Sequence, residues 1–326
     1  MLIIDNNCTN PYMNLATEEY ILKNFSQDIF MLWRDEPCIV VGKNQNTLSE
    51  INIDYIEKNS IPVVRRLTGG GAVFHDLGNL NFTFISNRAK DDFNDFQKFT
   101  KPIIDFLATI FITAEFSGRN DLTIEGKKFS GNAQCNYKER VMHHGTLLFS
   151  SEIKDLSNGL KVNPAKFQGK GVKSVASRVT NISAHLKKPM DVIKFKKLLM
   201  DYVVSSSTNN LFYEFTENDL KAIKKLYHEK YSTWQWNFGN SPKYDFQNHI
   251  KYPNGNIEFN LCVKNGIISD IKIYGDFFSK SDICILEEKL RGVPHCKESI
   301  MESLLDINLQ DFFSGITPDI FFQGLF

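Results

Sequence analysis

Residues 65–76 read "RRLTGGGAVFHD". Two arginines, a threonine, three consecutive glycines and a short apolar step lead to His75 beside Asp76. Each glycine gives up more backbone freedom on folding than any other residue, so a triplet is costly to order. Such runs mark tight turns or places where something comes close to the main chain. The surroundings favour close approach. "IPVVRRL" (61–67) reads as a strand, and alternation sends Arg65 and Arg66 to opposite faces, so one of them can point into a site. Exposed backbone amides beside a guanidinium suit phosphate oxygens. The loop is no Walker A, because GxxxxGK[ST] occurs nowhere in the chain, and GxGxxG fails because Phe74 stands three after Gly71.

Outward from this stretch the chain alternates strand and helix signals. Upstream, 14–25 has helical spacing after Asn10-Pro11. The runs at 29–34 and 38–42 read as strands around an Asp-Glu-Pro turn, and 49–59 as a helix. Downstream, 72–86 reads as a hairpin turning near Gly78-Asn79. Residues 91–112 read as an amphipathic helix with a second start at Pro102. "DLTIEGKKFSGNAQ" (121–134) turns at Glu125-Gly126, and its small residues Ser130, Gly131 and Ala133 suggest crowding. In "RVMHHGTLLFS" (140–150) alternation puts Val141, His143, Gly145 and Leu147 on one face and Met142, His144, Thr146 and Leu148 on the other. Residues 161–181 form a long polar loop. Helices follow near 189–204 and 216–232, the second capped by Thr216 with Asp219. From Tyr244, strand-like runs joined at Asn254-Gly255 and Asn265-Gly266 signal hairpins. The expected organisation is a large domain over 1–243 and a small one over 244–326. The fold class is α/β, a mixed sheet flanked by helices with a small α/β domain after it.

Composition narrows the function. The 326 residues are 42% hydrophobic and 23% charged, enough for a sizeable core. Lys+Arg and Asp+Glu are both 38, so a nucleic-acid partner, which calls for a basic excess, is not expected. The six cysteines are scattered without a CxxC pair and read as free thiols in a reducing compartment. The N-terminus lacks a secretory pattern and no apolar run approaches ~18 residues, so a cytoplasmic protein without a membrane partner is expected. His143 and His144 cannot both face one metal from a strand, and no GxSxG signals a hydrolase.

Several motifs together carry a resemblance. "NLATEEY" (14–20), "LWRDEPCIVVGKNQN" (32–46), "RRLTGGGAVFHDLGN" (65–79), "SGRNDL" (117–122), "GKKFSGNAQ" (126–134), "HHGTLLFS" (143–150), "SVASRVTN" (174–181) and "WQWNFG" (234–239) stand in the order found in lipoate–protein ligases of the bacterial LplA type. This stretch, about 10–240, resembles the catalytic domain of the biotin/lipoate protein ligase superfamily. The length also matches members with a small C-terminal domain. The resemblance implies that ATP and lipoate give lipoyl-AMP and pyrophosphate. The lipoyl group then passes to a lysine of lipoyl domains in 2-oxoacid dehydrogenase subunits or glycine-cleavage H protein.

By the same resemblance Arg66 and the backbone of Gly71, Ala72, Val73 and Phe74 hold the nucleotide. Lys128 is the catalytic lysine, touching both the lipoate carboxyl and the α-phosphate. His75, Asp121 and His144 fall in matching motifs as supporting residues. Mg2+ is implied for the pyrophosphate, with no ligands assigned to it. The loop at 170–181 is implied to cover the adenylate, and the lipoyl tail to lie near Trp33 and the loop at 42–46. The alternative is an ATP-independent octanoyl or lipoyl transferase using a cysteine acyl-enzyme, for which Cys135 is the cysteine nearest the motifs. A non-catalytic module that binds lipoylated proteins would not need the nucleotide contacts.

Overall fold

The computed structural model describes residues 1–326 except 46, 88–91, 153–158, 161–177, 207, 239–245, 265–266, 296 and 326. The run "IFMLW" shows how its core is built. As strand β2 (Ile29–Trp33) it is buried at every position. Alternation sends Phe30 and Leu32 to one apolar cluster and Ile29, Met31 and Trp33 to another. β2 is therefore an interior strand with both faces covered.

Its sheet has the order β11-β1-β2-β6-β10-β9-β8-β7 among the described residues. The outer strands are β1 (Leu2–Asp5), β7 (Glu115–Ser117), β8 (Asp121–Ile124) and β11 (Leu211–Phe212), and the inner ones β6 (Asn79–Ser86), β9 (Lys127–Tyr137) and β10 (Arg140–Leu148). β1 pairs in parallel with both neighbours and the rest of the ladder is antiparallel, so the sheet is mixed, as expected. Helices Phe96–Thr109 and Val192–Ser205 cover one face through Phe99, Ile103, Phe106, Phe195 and Leu199. The other face carries helix Pro11–Asn24 and a second sheet, β4-β3-β5, formed by β3 (Cys38–Val41), β4 (Val63–Arg65) and β5 (Val73–His75).

This second sheet overturns the hairpin expected over 72–86. β5 pairs antiparallel with β3, whereas β6 pairs with β2 and β10 in the large sheet. Between them the chain changes sheets at Asp76, whose carboxylate accepts from the amide of Gly78 and so makes the bend. Pro102 does not start a new helix either. One helix, capped by Asp95, runs through it. The 121–134 hairpin is as expected, with Glu125 and Gly126 both at positive φ (51° and 73°), which suits a two-residue primed turn. Thr216 and Asp219 form the expected capping box.

A third sheet follows, β12 (Phe246–Tyr252), β13 (Gly255–Lys264) and β14 (Ile267–Gly275), in that order. Helices Ile283–Leu290 and Pro318–Leu325 close its separate core around Phe259, Ile271, Phe313 and Phe321. The first turn is Pro253-Asn254, one residue earlier than the Asn-Gly signal suggests, because Tyr252 pairs with Gly255. The second expected turn, 265–266, and the expected boundary at 243 lie outside the described residues.

Candidate active site

The space between the large sheet and the β4-β3-β5 sheet holds a cavity of about 580 Å³, its open mouth included. The large sheet contributes Trp33, Asn81, Lys128, His144 and Thr146, and the small one Val40, Val73 and His75. The glycine loop closes the gap between them with Arg66, Gly70 and Gly71.

The three glycines answer to different constraints. A Cβ on Gly69 would lie 2.2 Å from the carbonyl oxygen of Phe277, so the loop is pressed against the C-terminal segment. Gly70 sits at φ +92°, where a side chain is strained. Gly71 has nothing within 4 Å of where its Cβ would be and faces open space.

Both arginines are turned inward. The Arg65 guanidinium donates to the carbonyls of Gly42, Lys43, Gln45, Trp236 and Asn237 and to Thr47 Oγ1, thereby stitching 42–47 to 236–237. Residues 42–45 thus wrap Arg65 and do not line the cavity, and residue 46 of the expected 42–46 loop lies outside the described residues, whereas Trp33 does line it. Arg66 is the arginine of the cavity. Its Nη2 donates to the carbonyls of Gly69 (2.6 Å) and Gly71 (2.8 Å), and its Nη1 to that of Val40. Burial pushes both guanidinium groups down to about 10, which leaves them cationic at neutral pH.

A buried relay fixes Arg66. Its Nε donates to Thr68 Oγ1 at 2.9 Å, and Thr68 Oγ1 lies 2.7 Å from His144 Nε2. His144 Nδ1 lies 2.9 Å from Glu18 Oε1, which also accepts from Thr83, itself the acceptor for Trp33 Nε1. A carboxylate only accepts, so Nδ1 carries the proton, and in the neutral ring Nε2 accepts from the Thr68 hydroxyl. The relay joins the apolar wall at Trp33 to the glycine loop. No single short motif contains Glu18, Thr68 and Thr83, and sequence reading missed all three.

Lys128 stands at the mouth, its side chain 41% exposed, with Nζ 2.7 Å from Asp121 Oδ1. The β8–β9 register shifts there, with Leu122 opposite Ser130 and Thr123 opposite Lys128, and such a bulge re-aims side chains. Gly131 makes room for the ammonium, because a Cβ there would be 3.0 Å from Lys128 Nζ. This is the crowding that the small residues signalled. Lys127 is exposed and lines no part of the cavity. Segment 178–180 pairs with the backbone of Lys128, from Lys128 N to Arg178 O and from Thr180 N to Lys128 O. The rest of the expected covering loop, 170–177, lies outside the described residues.

The remaining expected site residues divide. Val73 and Gly71 line the cavity, while the side chains of Ala72 and Phe74 pack behind it with Ile39 and Val41. His75 Nδ1 lies 2.8 Å from Asp35 Oδ2. His143, on the opposite face of β10 from His144, stacks on Phe82 and Phe99 and takes no part. Cys135 does not line the cavity, and burial pushes its thiol up to about 12.

Between two sheets, then, a cavity of mixed polar and apolar lining opens at a mouth where an ammonium stands beside a glycine loop, an arrangement suited to an anionic substrate. The chain belongs to the lipoate–protein ligase family. Residues 10–204 match the lipoyl protein ligase A/B catalytic domain and 241–325 the bacterial lipoate protein ligase C-terminus. Lipoate–protein ligase 1 of Staphylococcus aureus is 44% identical over 96% of each chain. Plasmodium falciparum LipL1, solved in complex with lipoate, covers 94% of each chain at 28% identity and TM-score 0.77. A bipartite ligase of Thermoplasma acidophilum, described with its E2 lipoyl domain, covers 75% of this chain and 98% of its own at 30% identity and TM-score 0.65. Lipoate-protein ligase A bound with ATP covers 73% and 98% at 26% identity and TM-score 0.62.

Proposed function

We propose that this ligase joins lipoate to ATP at the mouth of the cavity and hands the acyl group to a lysine of an apo lipoyl domain, in 2-oxoacid dehydrogenase subunits or glycine-cleavage H protein. The observation that carries the reading is Lys128, an ammonium at the rim of the cavity between the two sheets, beside the glycine loop. In the first step a lipoate carboxylate oxygen bonds to the α-phosphorus, and the bond to pyrophosphate breaks. Two anions must meet, and the Lys128 ammonium offsets their repulsion and the charge that develops. Asp121 holds that ammonium at the rim until a substrate carboxylate arrives. Arg66 grips the loop by the carbonyls of Gly69 and Gly71, and the backbone of Gly71–Phe74 is assigned to the nucleotide. His144 supports Arg66 through Thr68. In the second step the acceptor amine attacks the acyl carbon, AMP leaves, and the amine loses a proton, so no enzyme nucleophile is needed.

Among the described residues the one compact trio of metal-ligand types is Asp35, Cys38 and His75, buried and containing a thiol. That donor set does not fit Mg2+, which takes oxygen ligands and keeps its waters. Magnesium is therefore assigned to the triphosphate alone, and no step is routed through it. The domain division is read as 1–243 for catalysis and 244–326 as an accessory unit. Nothing favours the cysteine transferase: Cys135 does not line the cavity, and the curated relatives are named lipoate–protein ligases. Incubation with ATP, lipoate and an apo lipoyl domain tests the reading. The domain gains one lipoyl mass only when ATP is present, and gain without ATP contradicts it.

A further inference from the structure

Away from the catalytic cavity, a second cleft of about 500 Å³, its open mouth included, lies between the two matched parts of the chain. Asn94, Phe96 and Arg119 come from the part matching the catalytic domain, and Tyr252, Asn254 and Phe278 from the part matching the ligase C-terminus. It shares no lining residue with the first cavity. Three buried rings, Phe96, Phe278 and Tyr252, make its apolar lining. Only 4% of Tyr252 is exposed, yet its hydroxyl makes no hydrogen bond among the described residues. Burial pushes that phenol well above the ordinary tyrosine range, so it stays protonated and can donate. Arg119 lies over the Phe278 ring at 4.6 Å, and its Nη2 donates to the Asp276 carbonyl. Its Nε and Nη1 have no partner among the described residues, and no carboxylate lines the cleft.

The two donors converge. A Cβ on Gly255 would lie 3.4 Å from Tyr252 Cε1 and 3.5 Å from Arg119 Nη1. The nearby Asp276 carboxylate is taken up by the amide of Asn256 at 2.6 Å. An anion in the cleft accepts from both donors, and a flat apolar body joined to it lies on Phe96 and Phe278. A bare phosphate leaves the rings unused, and a neutral ring leaves the donors unpaired. The cleft also backs onto the glycine loop. Ring carbons of Phe278 lie 3.8 Å from where a Gly70 Cβ would be, and the Phe277 carbonyl meets Gly69. A ligand stacked on Phe278 therefore holds this segment against the loop.

We propose that the cleft between Arg119 and Tyr252 is a second ligand site, for a small aromatic phosphate or carboxylate, and that its occupancy is felt at the glycine loop. Calorimetric titration of the full chain tests this without ATP or lipoate, so its outcome is independent of the ligase reading. The probes are phenyl phosphate and benzoate, with inorganic phosphate as the control for the head group alone. At least one aromatic anion binds one to one and roughly ten-fold more tightly than inorganic phosphate, and the tighter of the two identifies the head group. Saturable binding by neither probe, or equal binding of inorganic phosphate, overturns the proposal. Tyr252→Phe removes only the hydroxyl and weakens binding roughly five-fold, and Arg119→Gln weakens it roughly ten-fold or more. Lys128→Ala leaves it unchanged. Binding that is indifferent to Tyr252→Phe and Arg119→Gln, or lost with Lys128→Ala, puts the ligand in the catalytic cavity and overturns the proposal. In the wild type, hydrogen–deuterium exchange at 69–71 and 276–278 slows when the probe is bound. Unchanged exchange there overturns the coupling to the loop.

Discussion

Thr68→Val removes one oxygen from the molecule and keeps its shape. Thr68 is wholly buried and does not line the cavity, so the substitution reaches substrate only through the relay. Two bonds are lost, from charged Arg66 Nε at 2.9 Å and to His144 Nε2 at 2.7 Å. A hydrogen bond to a charged group contributes about 1.5–3 kcal/mol and a neutral one about 1 kcal/mol, so stability falls by about 3 kcal/mol. Arg66 then has less to fix it beneath the carbonyls of Gly69 and Gly71, and the loop loosens. KM for ATP rises roughly ten-fold, the equivalent of about 1.4 kcal/mol, while KM for lipoate changes much less. Urea unfolding reads the first effect and ATP–pyrophosphate exchange the second. Thr68→Ser, which restores the hydroxyl, recovers both. A Thr68→Val protein with wild-type stability and wild-type KM for ATP would refute the relay.

Three other outcomes follow from particular groups. His143 is buried neutral, its Nδ1 accepting from the Gln134 amide and its Nε2 donating to Asn132 Oδ1, and desolvation holds it well below the usual imidazole range. With the folded value depressed, the unfolded chain binds more protons below about pH 6.5, so stability is full above that pH and is lost as pH falls, by up to about 1.4 kcal/mol per unit; His143→Phe flattens this slope in urea midpoints between pH 7.5 and 5.5. Cys135→Ser retains most ATP-dependent lipoylation, and hydroxylamine releases no thioester-linked acyl group from the wild type; a dead variant with a trapped acyl-thioester would bring back the transferase. Truncation after residue 243 removes Phe277 from Gly69, Asp282 from Lys43 and Gly275 from the carbonyl of Asn44. The shortened chain binds lipoyl-adenylate but makes it at least ten-fold more slowly, and full-rate adenylate formation would show that the small domain is not needed for activation.

The local signals in the sequence were legible where one residue type meets one physical demand. Thr216 with Asp219 caps a helix, Glu125-Gly126 makes a turn, and the alternation of 140–148 separates His143 from His144. The place of Lys128 on the cavity wall agrees with its motif, and its crowding with Gly131. What failed depends on which strand meets which. The apolar runs 72–75 and 79–86 look like hairpin partners, yet a carboxylate-made bend at Asp76 sends them to different sheets. The relay was hidden for the same reason, because Glu18, Thr68, Thr83 and His144 converge only once the two sheets have packed. Arg65 and Arg66 look alike in sequence. Only the fold shows that Arg65 stitches two loops while Arg66 holds the glycines.

The central claim is that Lys128 carries activation, and lipoate-dependent ATP–pyrophosphate exchange measures that step without the acceptor. Lys128→Ala should lose exchange by at least a hundred-fold, roughly 2.7 kcal/mol of transition-state stabilisation, as removal of one charge-stabilising donor does elsewhere. Its fold should persist, since the side chain is partly exposed and its ion pair with Asp121 is at the surface. Lys127→Ala, one residue away and exposed, should stay within a few-fold of wild type. Equal losses in the two variants, or exchange surviving in Lys128→Ala, would contradict the account.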